Sequence, residues 1–186
     1  MPSRPLQFAR RFLNREDGAT AVEFTLVFIP FMGLVIACIQ TALIFTMNQA
    51  LQTATMRASR ELMTGQATAL GLTTSAKFLD EVYAKLPGGF DRTKLYAEVE
   101  SWPSWAAYNP TVITYDAQGK PTNTSYNSGS SGGITMVKVM YDWPVFGGGF
   151  TKYIGKGDGA AGFGLSNQPD DGYLMVATTV MRNEPY

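Results

Sequence analysis

The sequence predicts an α+β protein built on one long N-terminal helix, a transmembrane helix that extends into an amphipathic one and is followed by a second helix and a small antiparallel β-sheet domain. Three features carry that expectation. Ala21 to Met47, AVEFTLVFIPFMGLVIACIQTALIFTM, is apolar enough to cross a membrane and carries one charge, Glu23, near its start. Leu51, Ala54, Ala58 and Leu62 then recur at helical spacing with polar residues between them. Beyond Pro87 the apolar period falls to two in several separate runs, the signature of strands.

A membrane-spanning helix needs roughly 20 mainly apolar residues rising about 1.5 Å each. Phe24 to Met47 meets this without a charged side chain. A secretory signal would have an apolar core of only about 7–15 residues closed by a small-residue cleavage site. Here the run continues unbroken into AlaLeuGlnThrAlaThrMetArgAlaSerArg. Before the span stand Arg4, Arg10, Arg11 and Arg15 against Glu16 and Asp17, whereas the basic residues of Asn48 to Gly65 are Arg57 and Arg60. That bias places the N-terminus in the cytoplasm. The expected organisation is a basic cytoplasmic leader over 1–18, a helix over 19–65 with its span at 21–47, and an extracytoplasmic α+β domain over 66–186. Pro30 predicts a kink near residues 26 to 30, and Gly33 gives room for another helix to approach.

The amphipathic extension ends at Gly65, so that Ala19 to Thr64 would form a rod on the order of 65–70 Å. Thr73, Thr74 and Ser75 are candidate caps for the second helix, which carries Phe78, Leu79, Val82, Tyr83 and Leu86 on one face and stops at ProGlyGly, 87 to 89. Strands are expected at 94–100, 111–116, 134–142 and 173–181, with no helical pattern between them, hence an antiparallel sheet covered on one face by helix. Residues 117–133 are turn-forming and read as a long mobile hairpin connection. The glycine-rich stretch 147–171 includes Phe150, Tyr153, Ile154, Phe163 and Leu165, so part of it is expected to pack.

Composition narrows the function classes. Net charge is zero and 16% of residues are charged, which leaves no basic field for nucleic acid. Histidine is absent and Cys38, inside the apolar run, is the only cysteine. Ser-His-Asp and Cys-His nucleophiles, an intrachain disulfide and His- or Cys-ligated metal sites are thereby removed. Gly157, Gly159 and Gly162 match G-x-G-x-x-G, but not in a βαβ turn, and Lys156 lies in no phosphate-cradling loop. Asp80 with Glu81 and Asp170 with Asp171 are adjacent pairs whose side chains point apart, which favours solvated charge over acid–base work. Trp102, Trp105 and Tyr108, or Trp143 and Phe146, would form either an aromatic binding shelf or, more commonly, core and rim. No enzyme activity, cofactor or metal is expected.

Glu23 requires an explanation, since a carboxylate in a membrane helix is costly and usually has a partner. It either sits solvated at the interface or pairs. Cutting the chain after Gly18 would give Ala19 a free α-amine four residues before Glu23, on the same helical face. That arrangement, GlyAlaThrAlaValGluPhe at the head of a long apolar run, resembles the type IV prepilin family and, more narrowly, the TadE-like minor pilins or pseudopilins of tight-adherence (Flp-type) pili. The resemblance covers about the first 65 residues and continues more weakly through PheLeuAspGluValTyrAlaLysLeuPro and LysLeuTyrAlaGluValGluSer. It implies processing by a prepilin peptidase at Gly18, Ala19, Glu23 and Phe24, and helix pairing through Ala19 and Glu23. Its implied partners are the membrane, other pilins or pseudopilins and the pilus assembly platform, with no nucleic acid and no small-molecule cofactor. The implied location is the inner membrane, single-pass with a periplasmic C-terminal domain, or a surface pilus, and the implied role is pilus assembly or initiation and adhesion. The family's frequent extracytoplasmic cysteines are missing here, so no disulfide framework carries over. The alternative is a single-pass membrane protein whose outer domain binds a ligand or partner without leaving the bilayer; a membrane-anchored carboxylate hydrolase stands further off.

Overall fold

The computed structural model describes residues 17–67, 69–117, 119–145 and 172–185. The chain divides into two compact units, Met1–Gln40 and Thr41–Tyr186. Helix α1 runs Asp17–Met63 with Pro30 inside it. In the first unit, the only described element is the start of this helix.

The second unit is an α+β fold. Its part of α1 buries Leu51, Ala54, Ala58 and Leu62, the stripe read from the sequence, together with Thr55 and Ser59. After the last turn Gly65 takes φ +72° and its N–H bonds the Leu62 carbonyl, a left-handed C-terminal stop that glycine adopts without penalty. Helix α2, Ser75–Ala84, is capped by Thr74, whose hydroxyl accepts from the Lys77 N–H at 3.4 Å. It buries Phe78, Leu79 and Val82. Tyr83 departs from that face and is exposed, its hydroxyl donating to the Phe90 carbonyl at 3.4 Å. Lys85 ties the two helices together by pairing with Glu61 at 2.9 Å and with Glu81.

Three strands, β1 Leu95–Trp102, β2 Ile134–Pro144 and β3 Gly172–Arg182, form an antiparallel sheet in the order β1-β2-β3. Val99 lies opposite Val137 and Val137 opposite Thr179, while Glu98 lies opposite Lys138 and Lys138 opposite Thr178. Alternation therefore gives the sheet two different faces. Leu95, Ala97, Val99, Val137, Val139, Tyr141, Trp143, Met175 and Ala177 join the helices in one apolar core.

The fourth expected strand, 111–116, does not enter the sheet. Its main-chain groups are taken elsewhere: Thr111 donates to the Glu100 carboxylate at 3.1 Å and its carbonyl accepts from Lys138, while Thr114 bonds Asn123 and Tyr115 bridges Pro121 within a local arm. The β1 edge where such a strand would add is occupied as well. Val99 N–H donates to Ser125 and its carbonyl accepts from Asn127, both at 2.8 Å. The connection expected as a mobile loop is thus fastened, and Tyr126 within it lies tilted against Phe78 with its hydroxyl on the Leu72 carbonyl. Gly129 is fitted to this path, because at φ +77° an added Cβ would come within 2.1 Å of Ser101 Oγ. The glycine-rich stretch 147–171, with Lys156, the 157–162 motif and Asp170 and Asp171, lies outside the described residues, as does Phe146.

Candidate membrane-helix interface

Up to Ile39 the apolar part of α1 has no buried residue among those described, whereas Gln40 and Ile44 further along are buried. Val22, Leu26, Val27, Ile29, Phe31, Leu34, Ile36 and Ile39 are all more than half exposed, and none of its most apolar window is buried. In water such a surface is unfavourable by about 25 cal/mol per Å²; a helix apolar all round belongs inside a protein or a bilayer. Among the described residues this is the one helix long and apolar enough to cross a membrane. Thr25 and Thr46 return their hydroxyls to the Ala21 and Ala42 carbonyls, at 2.7 and 2.8 Å, so neither polar group is left unbonded toward lipid. Cys38 is exposed and unpaired with another cysteine.

Gly18, Ala19, Glu23 and Phe24 all fall in the first two turns of α1. Glu23 is exposed, with no ion pair among the described residues. Phe24 is 65% exposed and its ring stacks on Phe28 with centroids 5.3 Å apart. Among the described residues nothing lies within 4 Å of a Cβ added to Gly18, so their packing does not require glycine there.

The other sequence candidates are separated by the fold. Asp80 bonds Arg92 at 2.7 Å whereas Glu81 bonds Lys85, so that pair does not converge on one site. Tyr108 packs edge-on against Trp102 at 4.9 Å and places its hydroxyl 3.5 Å from the Met136 sulfur, covering the sheet rather than forming an open shelf; Trp105 remains 63% exposed beside it. Trp143 is in the core.

A single-pass helix followed by a small α+β unit defines the class of protein. Residues 18–60 match the model of the TadE-like protein family, which bears out the resemblance read from the sequence over that stretch and associates the chain with tight-adherence pili. No curated protein matches the chain, and no solved structure does.

Proposed function

We propose that the chain is a prepilin-like minor pilin, or pseudopilin, of a tight-adherence pilus, cut after Gly18 and acting in assembly or initiation of the fibre and in adhesion. The observation that carries this reading is an exposed Glu23, with no ion pair among the described residues, at the head of a long and largely exposed apolar helix, inside the stretch that matches the TadE-like model. Residues 1–18 are the cytoplasmic leader, held there by their arginines, and the unit beyond the span is periplasmic. The prepilin peptidase acts at Gly18–Ala19 and reads Glu23 and Phe24. Among the described residues nothing packs within 4 Å of a Cβ added to Gly18, which supports access to the bond that follows it.

Once Ala19 carries the new α-amine, it and Glu23 are one helical turn apart, within reach in one chain or between packed chains. In a low-dielectric setting that cation offsets the cost of the carboxylate and sets the register of one helix against the next. The test is the N-terminal mass of the mature protein with its yield in sheared filaments. Wild type should begin at Ala19, Gly18→Leu should stay full length, and Glu23→Gln should be cut but poorly assembled. Unshortened wild type in the membrane would favour the single-pass binding protein instead. Cut Glu23→Gln with undiminished assembly would remove the pairing role.

A further inference from the structure

We propose that the rim of the second unit where β2 ends and β3 begins, together with the turn 87–89, is a lipid-contacting surface, so that the unit is seated in the headgroup layer of a bilayer instead of being held clear of it on α1. This rests on the membrane span of the chain and on residues 41–186, and it is independent of processing at Gly18 and of any place in a pilus.

The apolar run of α1 does not stop where the folded unit begins. Ile44 is 7% exposed and belongs to the core; Met47 packs against that core, its Cε 3.4 Å from where a Cβ on Gly89 would stand. On other sides of the same turn Phe45 is 68% exposed and Leu43 38%. One turn of helix therefore has protein on one side and bare apolar surface on another. Leaving Leu43 and Phe45 in water is unfavourable by about 25 cal/mol per Å². Covering them with acyl chain brings lipid up to the level of Ile44 and Met47, and so to whatever part of the unit stands at that level.

Two hydrogen bonds between α1 and β3 show which part that is. Gln52 Nε2 donates to the Thr178 carbonyl at 3.2 Å and the Glu184 N–H to the Met63 carbonyl at 2.9 Å, so β3 runs alongside α1 in the same direction. Going back from Thr178 to Gly172 the strand covers about 20 Å at roughly 3.3 Å per residue, while α1 covers about 12 Å from Gln52 to Ile44. Gly172 and its partner Pro144 thus stand level with Ile44 or beyond it. The side chains there suit an interface. Tyr173, partly exposed, is the cross-strand partner of Trp143, and rings of this kind, an apolar body with a polar edge, favour the headgroup level. Phe90 packs edge-on against Trp143, centroids 6.5 Å apart, and is preceded by Pro87, Gly88 and Gly89, which are exposed and uncharged. Asp91, the first charge after that turn, has its carboxylate taken by the Thr93 N–H and hydroxyl at 2.9 and 2.8 Å. Asp142 belongs by alternation to the other face of the sheet from Trp143.

The test uses the full chain with Cys38→Ser, reconstituted in phosphatidylcholine–phosphatidylglycerol vesicles and carrying one bimane-labelled cysteine. Gly88→Cys reports the rim, at a position where nothing among the described residues lies within 4 Å of an added Cβ. Leu34→Cys, at a position 58% exposed, reports the span. Ser130→Cys reports the opposite end of the sheet, exposed and beyond Ile134, where β2 starts about 33 Å of strand away from Pro144. The quenchers are lipids bearing a nitroxide on the headgroup or midway along the acyl chain, which read contact with lipid and not burial in protein. Leu34→Cys should be quenched chiefly by the acyl-chain nitroxide and Gly88→Cys chiefly by the headgroup nitroxide, several times more strongly than Ser130→Cys, which should respond to neither. Gly88→Cys as unresponsive as Ser130→Cys, with Leu34→Cys still quenched, would overturn the seating and leave the span in place. Leu34→Cys untouched by either lipid would remove the span itself, and the seating with it.

Discussion

The two faces of the sheet are buried by opposite means. One receives α1 and α2 and is closed by aliphatic and aromatic contacts from Leu51 to Ala177. The other buries Glu98 to 1% and Lys138 to 9% exposure, linked at 3.1 Å, with Glu100 4.0 Å from the same ammonium. Its cover is irregular chain, held where Lys138 meets the Thr111 carbonyl and Tyr108 meets Met136. Helices bring apolar stripes and satisfy their own backbone groups; a coil brings unpaired N–H and C=O groups, so the face beneath it must supply charged partners. The buried ion pair is thus a fastener for the 105–115 segment. Its cost is visible in Glu98 Oε1, buried without a hydrogen-bond partner among the described residues.

The contrast is broken most strongly at Lys138. Lys138→Ala leaves Glu98 buried without its cation, and the expected loss is about 3–5 kcal/mol of domain stability. Lys138→Met with Glu98→Gln should recover much of that loss, because charge rather than volume is at stake. Denaturant titration of both variants checks this; equal losses would show that the ammonium matters only for packing. On the helix-covered face Leu51, fully buried, should cost about 2–5 kcal/mol when changed to alanine. Leu34→Ala, at a position 58% exposed on the same helix, should leave domain unfolding unchanged. A matching loss at Leu34 would mean that the span and the domain unfold as one unit.

Much of the helix-covered face was legible in the sequence, because a 3.6-residue stripe and a capping threonine are local signals. The apolar head of α1 was legible for the same reason, as were Gly18 and Glu23 in their positions along it. Beneath the coil, legibility failed. Thr111 to Asp116 has strand composition, but whether it pairs depends on which edge is vacant, and Ser125 to Asn127, distant in sequence, had taken it. Lys138 interrupts an apolar run; the facing Glu98, the Thr111 carbonyl and the nearby Glu100 hold it inside.

The smallest effect concerns alkali, and it falls on the face that lacks formal charge. Burial holds the phenol of Tyr141 above the usual value of 10, with the Asp91 N–H bonded to its oxygen at 3.0 Å pulling modestly the other way. Burial likewise raises Tyr126, against Phe78. In the unfolded chain both phenols ionise near pH 10, so the unfolded state releases its protons first as pH rises. The stabilisation is therefore complete below pH 10 and is lost as pH climbs through the higher folded values. Tyr141→Phe keeps the ring against Phe90, 4.8 Å away, and removes the acceptor of the Asp91 N–H, for a loss of about 1 kcal/mol at neutral pH. Above pH 10 its stability should fall less steeply than that of the wild type, with Tyr126 supplying the remaining slope. Thermal unfolding of the two proteins between pH 7 and about pH 11 reads the difference, and parallel curves throughout would show that the Tyr141 phenol ionises without unfolding the face it lines.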